Sequence, residues 1–201
     1  MFRRMNLALF DFDGTITHRE MFADFIRFAV PRWRRWLGGF VFGPMYAGYK
    51  LGMVSGNTIR ASVVKVGLRG MRVDHAREMG RRFSAEVLPA VLRPMALERI
   101  RWHRSQGDKI MVVSGALDIY LEHWCREHGL DLLCSRLEIA NGMLTGRYDG
   151  LQCVGAEKSR RVREACEIRR FPVVYAYGDT HEDLDMLSMA SRKFYRWQEM
   201  A

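Results

Sequence analysis

The sequence predicts an α/β protein, a doubly wound parallel sheet with a helical segment inserted after its first strand. Three observations carry this. Short, uniformly apolar runs recur at residues 6–10, 109–113 and 173–177, and each ends in polar residues. Segments of helical periodicity separate them, the pattern of a parallel sheet covered on both faces. No strand signal appears between residues 18 and 93, so that block reads as all-helical and the core as discontinuous, residues 1–17 plus 94–201.

In chain order, residues 6–10 form a buried first strand. Met21, Phe22, Phe25, Ile26, Phe28 and Ala29 follow at helical spacing until Pro31. Ser55 is placed to cap a helix running to about Val66. Asp74 is placed to cap another, from His75 to about Leu88. After Pro94 a helix through Arg104 leads to the strand Lys109–Val113, which ends in Ser114-Gly115. A helix from about Leu117 to His128 and a short strand, Leu132–Ser135, come next. Asn141-Gly142 between two apolar runs predicts a tight hairpin. Ala156 to about Ile168 is a basic helix, Val173–Tyr177 a third buried strand, Glu182–Ala190 a helix and Lys193–Tyr195 a last short strand.

At 201 residues the chain can bury a sizeable core. Apolar content of 48% and charged content of 27% are those of a folded soluble protein. Its 32 basic and 23 acidic residues give a net charge of +9, which suits anionic partners. Nucleic acid is not expected, because no helix-turn-helix, RNP or zinc-finger signature is present. A Walker A loop and a G-x-G-x-x-G are also absent. Cys125, Cys134, Cys153 and Cys166 form no C-x-x-C pair and read as reduced thiols. The six histidines show no metal spacing.

Residues 1–6 do not read as a signal peptide, so the expected location is cytoplasmic. Trp36 to Val54 is apolar but is interrupted by Pro44, Lys50 and five glycines, which argues against a span. The run Arg32-Trp33-Arg34-Arg35-Trp36 has two readings: peripheral contact with an anionic membrane at its inner face, or a basic helix end packing its indoles within the insert.

The chemistry concentrates at the strand ends. Asp11 and Asp13 follow the first strand with one residue between them, so both leave the backbone on the same side. Two adjacent acids make sense beside a cation or with one proton shared. Gly14 lets the backbone turn and approach a ligand closely. In a parallel sheet, Ser114-Gly115 and Gly178-Asp179 meet the two acids at one edge. Asp179 and Asp183, four apart, can face one point. With Asp11 they make an oxygen-only set suited to Mg²⁺. Ser114 and the Gly115 N–H suit an anion. Lys158, in the first turn of its helix, can reach the same edge, or it can be a solvated lysine beside Arg160 and Arg161.

D-F-D-G-T after a strand, S-G after a second, a lysine at a helix start and G-D-T-x-x-D after a third, in this order, resemble the haloacid dehalogenase superfamily over the whole chain. The insert resembles the small helical cap of its phosphoserine phosphatase-like branch. The resemblance implies a Mg²⁺-dependent phosphatase acting on a small phosphorylated substrate. Asp11 would be the nucleophile that forms an aspartyl-phosphate, and Asp13 the general acid and base, a pair that marks a phosphatase rather than a dehalogenase. Asp11, the Phe12 carbonyl, Asp179 and Asp183 would hold the cation, with Asp13 contributing through its own carbonyl or not at all. Ser114, Gly115 and Lys158 would bind phosphoryl oxygens. Glu20 and Arg60 stand where phosphoserine phosphatases read their substrate's amine and carboxylate. Glu20 also fits a helix-end acid, and Arg60 a snorkelling cation. Glu182 departs from the family's usual Asn, and Trp33–Val54 is longer and more apolar than a small amino acid requires. The substrate therefore stays open between phosphoserine and a phosphorylated lipid head group such as phosphatidylglycerol phosphate. A third reading, of another class, is a phosphate-binding scaffold without turnover.

Overall fold

The structure, a computed structural model, describes residues 5–36 and 55–200. Its centre is a six-stranded sheet of order β3-β2-β1-β6-β7-β8. The strands are β1 (Leu7–Phe10), β2 (Lys109–Leu117), β3 (Asp131–Ser135), β6 (Val174–Gly178), β7 (Arg192–Tyr195) and β8 (Gln198–Met200). All pairings are parallel except β7 with β8. Strand β1 lies between β2 and β6, with Phe10 opposite both Val112 and Tyr177. The chain winds one way from β1 to β3 and the other way through β6 and β7. The β1–β6 boundary is thus the switch point where open α/β sheets bind ligands.

Every residue of β1 is buried because both faces of the sheet are covered. Ala8, Phe10, Ile110 and Val112 point into one apolar cluster, while Leu7, Leu9, Met111 and Val113 point into another. The second cluster is closed by Val162 of α6 (Ala156–Ala165) and by Met186 and Leu187 of α7 (Leu184–Ser188). The first continues into α1 (Phe22–Ala29), α2 (Gly56–Gly67) and α3 (Val73–Glu86), the helices that follow β1. Here the rings of Phe25, Phe83 and Tyr120 pack edge-on or tilted, with centroids 4.9 Å apart for Phe25–Tyr120, 5.2 Å for Phe83–Tyr120 and 5.4 Å for Phe25–Phe83. Tyr120 belongs to α5 (Asp118–Glu127), so the helical block and the sheet share one apolar core.

Gly80 sets the closest approach of that packing. A Cβ there would lie 1.9 Å from the Ile119 carbonyl oxygen. Gly80→Ala is therefore expected to destabilise the protein by about 1–3 kcal/mol. Urea unfolding checks this; a parental midpoint would show that α3 shifts without cost.

The chain leaves for the helical block and returns from it side by side. His18 N–H donates to the Val91 carbonyl (3.0 Å) and Arg93 N–H to that of Ile16 (2.8 Å). Between them, Leu88–Val91 is a 3-10 turn, and Pro94 then opens α4 (Pro94–Ser105). Ser55 caps α2 as its position predicts, its hydroxyl accepting from Thr58 N–H at 3.2 Å. Asp74 does not cap α3; it sits in the first turn, where its charge complements the helix dipole.

Other boundaries also differ from expectation. β2 runs past Ser114-Gly115 to Leu117, with an irregularity in its pairing with β3 between Ser114 and Leu117. α6 stops at Ala165, where Cys166 is extended. Residues 181–190 are not one helix: a 3-10 turn, His181–Asp183, precedes α7. β8 is unforeseen because the turn that creates it uses Arg196 and Trp197 at φ +50° and +66°, residue types that do not announce a hairpin. The hairpin of β4 (Leu137–Ala140) and β5 (Met143–Tyr148) forms as Asn141-Gly142 predicts, with φ +49° and +73°. It docks on the helical block, exchanging main-chain hydrogen bonds between Leu144 and both Gly70 and Met71.

None of the described helices is long and apolar enough to cross a membrane. Trp33 and Trp36 are exposed, both within the helical residues 32–36. The rest of the apolar stretch, 37–54, lies outside the described residues. All four cysteines are free thiols.

Candidate active site

At the carboxyl ends of β1, β2 and β6 a cleft of about 330 Å³ is lined by Asp11, Asp13, Ser114, Gly115, Lys158 and Asp179. These include residues from four motifs spread over 169 positions. Glu20, Arg60 and Glu182 line it too.

Lys158 organises the cleft. It is 3% exposed, which excludes the solvated-lysine reading. Its ammonium donates to Asp11 Oδ1 at 2.6 Å and to Asp183 Oδ1 at 2.5 Å. Burial disfavours the ammonium, but the two carboxylates outweigh it and raise its pKa above the ordinary value. Asp183 is fully buried, and its other oxygen accepts from Asp179 N–H (3.1 Å), Thr180 N–H (3.0 Å) and the Thr180 hydroxyl (3.1 Å). Both of its oxygens are thus engaged in orienting Lys158 and the loop after β6.

Two glycines allow this loop to close on the acids. A Cβ on Gly178 would fall 2.5 Å from Asp183 Cβ, and one on Gly14, at φ +81°, would fall 2.2 Å from Asp179 Oδ2. The close approach expected at Gly14 is made by the Asp179 carboxylate. Thr15 also holds Asp179, its hydroxyl donating to Oδ1 at 3.3 Å.

Burial pushes the Asp11 carboxyl well above the usual range, with Lys158 opposing and Asp183 adding to the rise. Asp13 is raised to about 7, by burial first and by Glu20 second; the Met21 N–H, which donates to its Oδ1 at 3.0 Å, opposes this. Asp179 is raised by burial and by Asp183. Three carboxylates, Asp11, Asp179 and Asp183, offer oxygens within 4.8 Å of one another. One ammonium leaves this cluster with excess negative charge, and its donors are all oxygen. Both properties fit Mg²⁺. The Phe12 carbonyl does not belong to that set. It accepts from Ile16 N–H and Thr17 N–H, both at 2.9 Å, and from the Thr17 hydroxyl at 3.2 Å, so the turn takes up its acceptor capacity. The neighbouring Asp13 carbonyl is the remaining main-chain candidate.

Ser114 is buried, and its Oγ accepts the Ala116 N–H at 3.1 Å, which leaves the hydroxyl proton for a ligand. Gly115 is needed for space: a Cβ would lie 2.8 Å from Val154 Cγ1 and 3.2 Å from Arg60 Nη1. Glu20 and Arg60 also meet, but they pair with each other, and Arg60 is stabilised in its charged form by Glu20 and further by Glu182. Arg93 is a site residue that the motifs do not indicate. Its Nε donates to the carbonyls of Gly14 and Thr17, both at 3.1 Å, and clamps the turn after β1. Its position beside Pro94, where the chain re-enters the core, is the only sequence signal it carries.

The family model for haloacid dehalogenase-like hydrolases matches residues 8–188. The chain belongs to this family. Protein CicA of Caulobacter vibrioides is 34% identical over 195 residues, 94% of this chain and 85% of that protein. Phosphoserine phosphatase SerB2 of Mycobacterium tuberculosis is 33% identical over 144 residues, 65% of this chain but 35% of that protein. Among solved structures, a protein of unknown function from Bordetella pertussis Tohama I superposes with a TM-score of 0.80 at 20% identity, covering 96% of this chain and 90% of that one. A substrate-bound phosphoserine phosphatase superposes at 0.67 with 22% identity, over 96% of this chain and 87% of that one. The protein is thus a haloacid dehalogenase-like hydrolase, and its mostly parallel sheet flanked by helices is a fold it shares with the phosphoserine phosphatase structure.

Proposed function

We propose that this hydrolase is a Mg²⁺-dependent phosphomonoester phosphatase that works through an aspartyl-phosphate on Asp11, with residues 18–93 as its cap. The observation that carries the reading is the buried Asp11 held by Lys158 at the β1–β6 switch point, with Asp13 two residues beyond on the same cleft.

In this reading an Asp11 carboxylate oxygen attacks phosphorus while the bond to the leaving oxygen breaks. Asp13, raised to about 7, gives that oxygen its proton. The Asp13 carboxylate then takes a proton from water as the water attacks the aspartyl-phosphate, releasing phosphate and restoring Asp11. Lys158, the Ser114 hydroxyl and the Gly115 N–H hold phosphoryl oxygens where negative charge builds. Asp11, Asp179 and the Asp13 carbonyl would hold Mg²⁺, with Asp183 behind them; bound there, the cation supplies positive charge that polarises the phosphoryl group. Phosphoserine phosphatases among the relatives support a small phosphorylated substrate.

Purified protein is expected to hydrolyse members of a phosphomonoester panel with Mg²⁺, to lose that activity in EDTA and to regain it on adding Mg²⁺ back. No turnover of any phosphomonoester with Mg²⁺ present would refute the reading.

A further inference from the structure

A second cavity opens beside the catalytic cleft. It occupies about 500 Å³ between α1 and α2. Among the described residues its walls are chiefly apolar, Phe22, Ile26 and Val30 from α1 and its end and Ile59, Val63 and Val66 from α2, with Arg27, Arg34 and Arg35 also lining it. Glu20, Arg60 and Glu182 line this groove and the catalytic cleft alike, so the two are continuous. At the shared neck Arg60 is ion-paired with Glu20 and further stabilised by Glu182. A ligand carboxylate or amine would have to displace those partners, whereas an apolar body passes them and removes water from the walls beyond. A concave, largely apolar space with a small number of polar groups is the form of a small-molecule site.

We infer that this groove takes the apolar body of the substrate's leaving group, so that the enzyme selects phosphomonoesters of a hydrophobic alcohol or phenol over small zwitterions. The inference rests on the phosphatase reading of the adjoining cleft. The phosphoryl group sits among Asp11, Lys158 and Ser114, the ester oxygen faces Asp13, and the hydrocarbon runs past Arg60 between the two helices.

The test is the dependence of kcat/KM on chain length, measured from ethyl to octyl phosphate below their micellar concentrations, with O-phosphoserine alongside. The parent is expected to gain about twofold or more per added methylene until the groove is full, and to prefer octyl phosphate to O-phosphoserine. Ala23→Trp, at an exposed position of α1 that lines the groove, and Ile59→Glu on α2 are each expected to flatten that slope. Should Ile59→Glu melt below the parent, Ala23→Trp decides. A flat slope in the parent, a preference for O-phosphoserine, or a slope untouched by Ala23→Trp overturns the inference. So does activity on phosphatidate vesicles with no slope among monomeric esters. If no ester is hydrolysed, the phosphatase reading fails, and the groove is then judged by calorimetry with ethyl to octyl phosphonates. Affinity that rises with chain length upholds it, and constant affinity overturns it.

Discussion

Asp11→Asn is expected to lower kcat/KM on the best phosphomonoester by about four orders of magnitude or more, because the variant keeps the shape and loses the nucleophile. The parent, quenched in turnover, is expected to carry labelled phosphate on Asp11, and the variant none. Asp13→Asn should cost less, about 10²- to 10⁴-fold, and the defect should depend on the leaving group. An alkyl ester needs a proton on its departing oxygen and suffers the full loss, while a nitrophenyl ester needs little help in the first step. With that ester, slow hydrolysis makes the aspartyl-phosphate accumulate. Equal defects on both esters with no accumulation would take the proton-transfer role away from Asp13. An Asp11→Asn enzyme as active as the parent would remove the covalent mechanism altogether.

The second large effect is expected at Lys158. Its ammonium is buried between two carboxylates at 2.5 and 2.6 Å. Removing one member of such a group leaves uncompensated charge in the interior, a loss of about 3–5 kcal/mol. Lys158→Met should therefore lower the urea midpoint sharply in the absence of Mg²⁺ and reduce kcat by about 10²- to 10³-fold with Mg²⁺ present, the loss seen when one charge-stabilising donor is removed. Lys158→Arg is not expected to restore either quantity, because a planar guanidinium does not fit a slot shaped for a compact ammonium. Combining Lys158→Met with Asp183→Asn should cost less than the two singles summed, since the second change removes the charge stranded by the first. Strict additivity would show that the two groups do not act as a unit.

Much of this site is legible from local chemistry. Apolar runs ending in Asp11-Phe12-Asp13, Ser114-Gly115 and Gly178-Asp179 mark buried parallel strands, and topology requires their ends to share an edge. What is not legible arises from contacts between distant segments. The Phe12 carbonyl is indistinguishable in sequence from that of Asp13; only the turn back to Ile16 and Thr17 removes it from the candidate cation site. Glu20 and Arg60 read as two separate substrate contacts until the fold brings α2 over the loop after β1 and pairs them. Arg93 belongs to no motif, because its partners are main-chain oxygens, which every residue possesses.

The sequence by itself therefore determined the class of fold, the edge of the sheet that carries the chemistry, and the acids and hydroxyl found there, while Lys158 stayed open until its burial was seen. Hydrophobic periodicity and strand-end residues are local and survive reading in one dimension. The tertiary structure decided which polar groups are already taken. Asp183 is consumed in orienting Lys158, Phe12 in a turn, and Arg60 in an ion pair at the neck of an apolar groove. Charge balance and hydrogen-bond occupancy are sums over neighbours in space, and those neighbours lie as much as 182 residues apart in the chain.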